Sequence, residues 1–211
     1  MKIGVLAVQG AFIEHIKMFE RLNNEVFGKD TVAEQSGNPV SFLECIEIRQ
    51  KNDLENLDAI VLPGGESTVQ GKLLKDLEMF EPLKKMIENG TPVLATCAGL
   101  ILLAQTISND NHTYLATLPV TVKRNAYGRQ LGSFSTVGHF EGIGQVPMTF
   151  IRAPYIEKVV PNSGVQILST VDDKIVAVRY KNQVTLSFHP ELDKDMRIHE
   201  YFVKMVATHV S

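Results

Sequence analysis

The chain has 211 residues, 44% hydrophobic and 21% charged, which excludes a disordered polypeptide and suits one ordinary domain over residues 1–211. Twenty-one Lys and Arg against 24 Asp and Glu leave a net charge of −3, so no basic excess favours nucleic acid or an anionic membrane. Two cysteines, Cys45 and Cys97, are too few for a disulfide framework and suit a reducing compartment.

The chain starts on an apolar run at residues 3–8, ended by Gln9 and Gly10. This run is too short for a signal-peptide core with a cleavage site, and far too short to span a bilayer. It reads as a buried strand of a cytoplasmic protein. Phe12, Ile16, Phe19 and Leu22 then fall on one helical face. Residues 28–42 are polar, with Gly28, Gly37 and Pro39 as breakers, and read as a surface excursion. Further apolar runs follow at Glu44–Ile48, Ala59–Leu62 and residues 92–96. Runs without alternation indicate strands covered on both faces, and their β-α-β-α order indicates an α/β fold. The expected architecture is a three-layer, doubly wound, mostly parallel sheet flanked by helices. From Tyr114 to Val184 the pattern changes to short β-rich pieces punctuated by Gly and Pro, at residues 120–122, 149–151 and 175–178. These read as added antiparallel strands and loops. A last helix carries Ile198, Phe202, Met205 and Val206 at i, i+4, i+7 and i+8.

In open α/β sheets, ligands bind beyond the carboxyl ends of the strands, and three junctions there carry chemistry. After Ala59–Leu62 comes Pro63-Gly64-Gly65-Glu66-Ser67-Thr68, where paired glycines can turn N–H groups toward an oxygen anion. A tight strand-to-helix turn explains the same glycines without a ligand. After residues 92–96 comes Cys97-Ala98-Gly99, and a helix-favouring stretch runs from residue 99 to 106. That is the shape of a nucleophile elbow, since a helix N-terminus favours a thiolate, the form that attacks. A buried core thiol is the competing reading. The third junction follows a strand at residues 184–188 and reads His189-Pro190-Glu191. Cys97 as nucleophile, His189 as base and Glu191 as orienting acid complete a triad, and the conjunction of three strand ends favours it over three separate structural roles.

The segments PGGEST, TCAGL and HPEL, in this order, resemble class I, triad-type glutamine amidotransferases, which have a flavodoxin-like fold. Gln9-Gly10-Ala11 with Glu14-His15, the run from Arg124 to Gln130, and Phe150-Ile151-Arg152-Ala153-Pro154 make the chain similar to the glutaminase subunits of pyridoxal 5′-phosphate synthase. The resemblance implies hydrolysis of L-glutamine to glutamate and ammonia through a γ-glutamyl thioester on Cys97. It places the oxyanion hole at the Gly65 and Ala98 amides, and substrate contacts at Gly65, Glu66, Ser67, Arg124, Ile151 and Arg152. By their chemistry alone, the two arginines are equally surface ion-pair residues. The resemblance further implies a (β/α)8-barrel synthase partner that takes the ammonia and activates the glutaminase; the Gln9-Gly10 turn is either a docking and activation element or only a tight turn, and the sequence does not separate the two. The vitamin would be made on that partner, and this chain is expected to hold no cofactor and no metal.

The chain departs from the family pattern at Ala95, where a glycine is usual, and in the length of the excursion at residues 28–42. Val69 and Gln70 stand where the family varies. His15, His112, His139, His199 and His209 lack metal-ligand spacing and read as solvated or locally satisfied. His15, beside the expected partner face, is the one to watch. Cys45 reads as a buried thiol. Two other functions stay open on this sequence: a cysteine hydrolase of peptidase or γ-glutamyl hydrolase type, and a non-catalytic regulatory module on the same scaffold. The Arg124 and Arg152 segments argue against the first, and the intact triad argues against the second.

Overall fold

A computed structural model describes residues 1–27, 43–124 and 132–210; the excursion at 28–42 and most of the motif that follows Arg124 lie outside the described residues. Strand β1 (Lys2–Leu6) leads into helix α1 (Phe12–Leu22). Next come β2 (Glu44–Ile48), β3 (Ala59–Leu62), α2 (Ser67–Asp76), α3 (Phe80–Glu88), β4 (Val93–Thr96) and α4 (Ala98–Leu103). The second half is strand-rich: β5 (Ala104–Ile107), β6 (Leu118–Lys123), β7 (Ser133–Phe140), β8 (Gly144–Ile151), β9 (Tyr155–Val159), β10 (Gln166–Val171), β11 (Lys174–Tyr180) and β12 (Gln183–Leu186). Helix α5 (Arg197–Val210) follows.

One large sheet runs in the order β2-β1-β3-β4-β12-β11-β9-β6-β5, and β10 pairs with β11. Its first five strands are parallel to one another. Strand β11 pairs antiparallel with β12, β10 and β9, and β9 pairs antiparallel with β6. These are the added antiparallel strands expected from the sequence, and a separate hairpin of β7 and β8 joins them. The parallel order reverses direction between β1 and β3, the switch point at which such sheets open a ligand crevice.

Alternate residues of the central strands feed two cores. Ile3, Val5, Val61, Leu94 and Leu186 pack with Phe19 of α1, Phe202 and Val206 of α5, and Phe150 of the hairpin. Leu6, Ile60, Leu62, Val93 and Ala95 pack with Leu74 of α2, Leu83 and Ile87 of α3, and Leu100 to Leu103 of α4. Every residue of β3, β4 and β12 is buried, which is why β3 and residues 93–95 of β4 run apolar without alternation, while β12 buries Gln183 and Thr185 as well.

Two expectations need correction. Strand β2 is an edge strand with one face half open, so Cys45 is only partly buried; enough of it is covered to push its thiol up to about 12. The helix expected over residues 99–106 stops at Leu103, because Ala104, Thr106 and Ile107 are taken into parallel pairing with β6. Local propensity there yields to the sheet. Among the described residues, no helix is long and apolar enough to cross a membrane.

Helix α4 sits close on β3 because residue 99 has no side chain. A Cβ at Gly99 would strike the backbone oxygen of Leu62 and come within 2.9 Å of its Cβ, and neither atom can swing away. Gly99→Ala is therefore expected to cost about 2 kcal/mol or more, read as a lowered urea midpoint at unchanged slope.

Candidate active site

The parallel strands end together, and their ends carry the candidate groups. Cys97 follows β4 in a backbone conformation of φ 46° and ψ −97°, a strained elbow that turns at once into α4. Ala95, two residues earlier, is fully buried in the core and is accommodated beside that turn. Beyond β12, the His189 amide donates to Thr149 O of the hairpin at 2.8 Å, which sets where the imidazole projects. Gly64 lies flat against that ring: a Cβ there would collide with His189 Cε1 and approach Nδ1 to 2.9 Å.

The three groups of the expected triad meet in this space. His189 hydrogen-bonds to the Cys97 thiol, and its Nδ1 lies 2.7 Å from Glu191 Oε1. Cys97, His189 and Glu191 are 7%, 6% and 5% exposed, so water screens little of their interaction. Burial opposes a charge on His189, yet the hydrogen bonds that the ring donates to Cys97 and Glu191 outweigh it and raise the imidazole to about 10. The arrangement thus favours imidazolium beside sulfur, with a carboxylate behind it.

A crevice of about 230 Å³ opens over Cys97 and His189. Gly65, Glu66, Ser67, Arg124, Ile151 and Arg152 all line it. Among the described residues, the N–H groups of Gly65 and Ala98 donate to no protein acceptor, as an oxyanion hole requires. The two arginines are engaged but differently exposed. Arg124 Nη1 bonds Asp110 Oδ2 at 2.7 Å, and its amide and carbonyl are both tied to the Asn109 side chain at 3.1 Å. Hydrogen bonds from His112 and from Arg124 hold Asp110 down at about 2. Arg152, with φ 43°, reaches across the mouth to Glu66 Oε1 at 3.4 Å. A larger, open depression of about 1270 Å³ over α3 is lined by scattered Lys and Glu and brings no nucleophile or base together.

The Gln9 turn is clamped onto the glycine loop. Ala11 N donates to Gly64 O at 3.0 Å, and Glu66 N donates to Gln9 Oε1 at 2.9 Å. A Cβ at Gly10, which has φ 104°, would collide with Gly64 O. Gln70 closes the clamp, its Nε2 donating to Gln9 O at 2.9 Å and Pro63 O at 3.2 Å. Sequence reasoning passed over Gln70; the signal was a polar residue one helical turn before Leu74, on the buried face of α2. Among the described residues, no group of three His, Cys, Asp or Glu side chains is placed to hold a metal ion.

The profile of the SNO glutamine amidotransferase family matches residues 5–208. A protein of Desulfitobacterium hafniense (strain Y51) named pyridoxal 5′-phosphate synthase subunit PdxT is 55% identical over 208 residues, covering 98% of this chain and 94% of its own length. The protein of the same name from Methanocorpusculum labreanum is 51% identical and covers 98% of both chains. A crystal structure of a glutamine amidotransferase superposes with a TM-score of 0.82 at 37% identity, covering 97% of this chain and 98% of that one.

Two further histidines lie behind the site. His15 and His199 are fully buried, not solvated, because His15 shares the buried face of α1 with Met18, Phe19 and Leu22, and His199 that of α5 with Phe202 and Val206. Burial lowers both imidazoles, with the positive fields of His199 and His189 adding to it at His15, and His199 falls to about 3 from an ordinary 6.5. Below about pH 6.5 the unfolded chain therefore binds more protons, and each ring removes up to about 1.4 kcal/mol of stability per pH unit. His189, raised to about 10, has the opposite sign: its contribution is complete below 6.5 and is lost as pH rises through about 10. Urea unfolding is expected to show maximal stability near neutrality and a clear fall from about pH 6.5 to 5, with His199→Phe removing about half of that slope. A flat response over that interval would mean that both rings are charged in the folded protein.

Proposed function

The chain belongs to the SNO glutamine amidotransferase family, and from that premise we propose that it is the glutaminase subunit of a pyridoxal 5′-phosphate synthase, using Cys97, His189 and Glu191. The observation that carries this reading is the buried contact of sulfur, imidazole and carboxylate beside two unpaired amide donors. We treat residues 1–211 as one glutaminase domain, since Gly65, Cys97 and His189 all follow strands of a single sheet. Two free thiols and the absence of any excess positive charge suit a cytoplasmic location.

The chemistry runs in two halves. The Cys97 thiolate attacks the side-chain amide carbon of L-glutamine, and the carbonyl oxygen takes the negative charge toward the Gly65 and Ala98 amides. His189 gives its proton to the departing nitrogen, the C–N bond breaks, and ammonia leaves a γ-glutamyl thioester. Water then attacks that thioester, His189 takes its proton, and glutamate departs as the sulfur is released. Glu191 holds the imidazole in one orientation and offsets its charge in both halves. Arg152 and Arg124 suit the α-carboxylate of the amino acid, since a guanidinium pairs well with a carboxylate. Glu66 at the mouth suits the α-ammonium.

Ammonia released into neutral water becomes ammonium and loses its nucleophilic lone pair. A synthase that uses it must therefore sit against the site, and a (β/α)8-barrel subunit is the partner we assign. The Gln9 turn supports a role in activation: it bonds directly to the loop that carries the Gly65 donor, so pressure on one is felt by the other.

Glutamate production should rise strongly when a pyridoxal-phosphate synthase subunit is added, and Cys97→Ala should lower it at least about 1000-fold with the partner present. Activity indifferent to the partner would favour a free-standing cysteine hydrolase. Ammonia release that survives Cys97→Ala would overturn the mechanism.

A further inference from the structure

The hydrolytic scheme leaves the two buried imidazoles behind Glu191 unused. Glu191 presents one oxygen to each side: Oε1 meets His189 Nδ1 at 2.7 Å, and Oε2 faces His15 Nε2 at 3.4 Å. Among the described residues, Oε2 has no conventional hydrogen bond, and His15 Nε2 stands 3.4 Å from it. The same His15 nitrogen lies 3.2 Å from Thr96 Oγ1, which already accepts the Gly64 amide at 2.9 Å. The other edge of the ring, Nδ1, meets His199 Nε2 at 3.0 Å.

Counting protons selects one tautomer. Suppose that His15 carried its proton on Nδ1. It would donate to His199, leave a lone pair aimed at a carboxylate oxygen, and force the His199 proton onto Nδ1. That atom is buried with no partner among the described residues, so a donor would be stranded. With the proton on His15 Nε2, the N–H lies 3.2 Å from Thr96 Oγ1 and 3.4 Å from Glu191 Oε2, and His199 Nε2–H donates to His15 Nδ1. The unmet groups are then a lone pair on His199 Nδ1 and the rotatable Thr96 hydroxyl proton, whereas the alternative strands a fixed N–H and leaves the carboxylate oxygen with no donor.

We propose that His15 is a positioning residue for the glutaminase reaction, donating from Nε2 to Glu191 Oε2 and held in that tautomer by His199, so that the carboxylate stays ionised and aimed at His189. The proposal rests on the assignment of Cys97, His189 and Glu191 made above. Its physical basis is that burial works against the Glu191 carboxylate, and each N–H donor offsets part of that penalty. His189 supplies one donor and His15 the second. The titratable groups facing this centre are Cys97 and Asp193 toward His189, Glu14 of α1 toward Glu191, and His199 of α5 toward His15.

The test uses the full chain bound to its synthase. His15→Leu is expected to lower kcat about 10-fold while KM for glutamine stays within about two-fold, because the residue touches the carboxylate and not the substrate. The acid limb of its kcat/KM profile should move to higher pH, since a carboxyl with one donor fewer ionises less readily. His15→Gln, which returns an N–H near the Nε2 position, should restore the limb. A residue that only supports the fold would scale the activity without moving the limb. Nitrogen-15 spectra of the wild type provide an arm that needs no variant, and they should show His15 protonated at Nε2. A proton on Nδ1, or a His15→Leu profile that overlays the wild type, would overturn the proposal; should the leucine variant not fold, the tautomer decides. In either case the dependence of wild-type glutamate release on Cys97 stands apart, so failure of the triad assignment would be seen separately.

Discussion

A proton held between a sulfur and an imidazole, with a carboxylate directly behind, is the interaction on which the rest of this molecule depends. It exists because β4 and β12 are hydrogen-bonded neighbours running in the same direction. Their carboxyl ends therefore deliver Cys97 and His189 to one place, although 92 positions separate residue 97 from residue 189. Burial strengthens the pairing by removing the water that would screen it, and it penalises any charge left without a partner. The site answers that penalty with hydrogen bonds to every member of the triad.

The surrounding backbone is built to permit this approach. Three glycines serve contact and not flexibility: Gly64 lies against His189, Gly65 against Gln9 and Gln70, and Gly99 against Leu62. Side chains at these places would push apart the turns after β1, β3 and β4. The cost of the arrangement appears as the positive φ of Cys97, held by its amide bond to Leu186 O at 2.8 Å and by a helix that starts at the next residue. The glycine loop, the Cys97 elbow and the Gln9 turn thus share one seam of direct contacts.

Much of this was legible in the sequence because strand ends announce themselves. Apolar runs without alternation marked β1, β3 and β4, with Gly-Gly and Cys-Ala-Gly where the last two stopped, and His-Pro-Glu closed the alternating segment at residues 184–188. What periodicity could not show was which strands lay at the edge, so Glu44–Ile48 looked like its buried neighbours although one face is open. Nor could it show that Ala104 to Ile107 would leave helix for sheet, since the pairing partner β6 is supplied from further along the chain. For His15 and His199 the open choice between solvation and local satisfaction falls to the second. Each sits among apolar residues at helical spacing, a position that buries a histidine only when another helix brings it a partner, and that partner here is the other histidine.

The central claim is that His189 takes its charge from Cys97 as well as from Glu191. The most direct measurement is an NMR titration of the His189 ring in the wild-type chain and in Cys97→Ala. The account predicts a wild-type imidazole that stays protonated well above neutrality, toward about 10, and a clear downward shift when the sulfur is removed. A ring that titrates at its ordinary 6.5 in both proteins would contradict it.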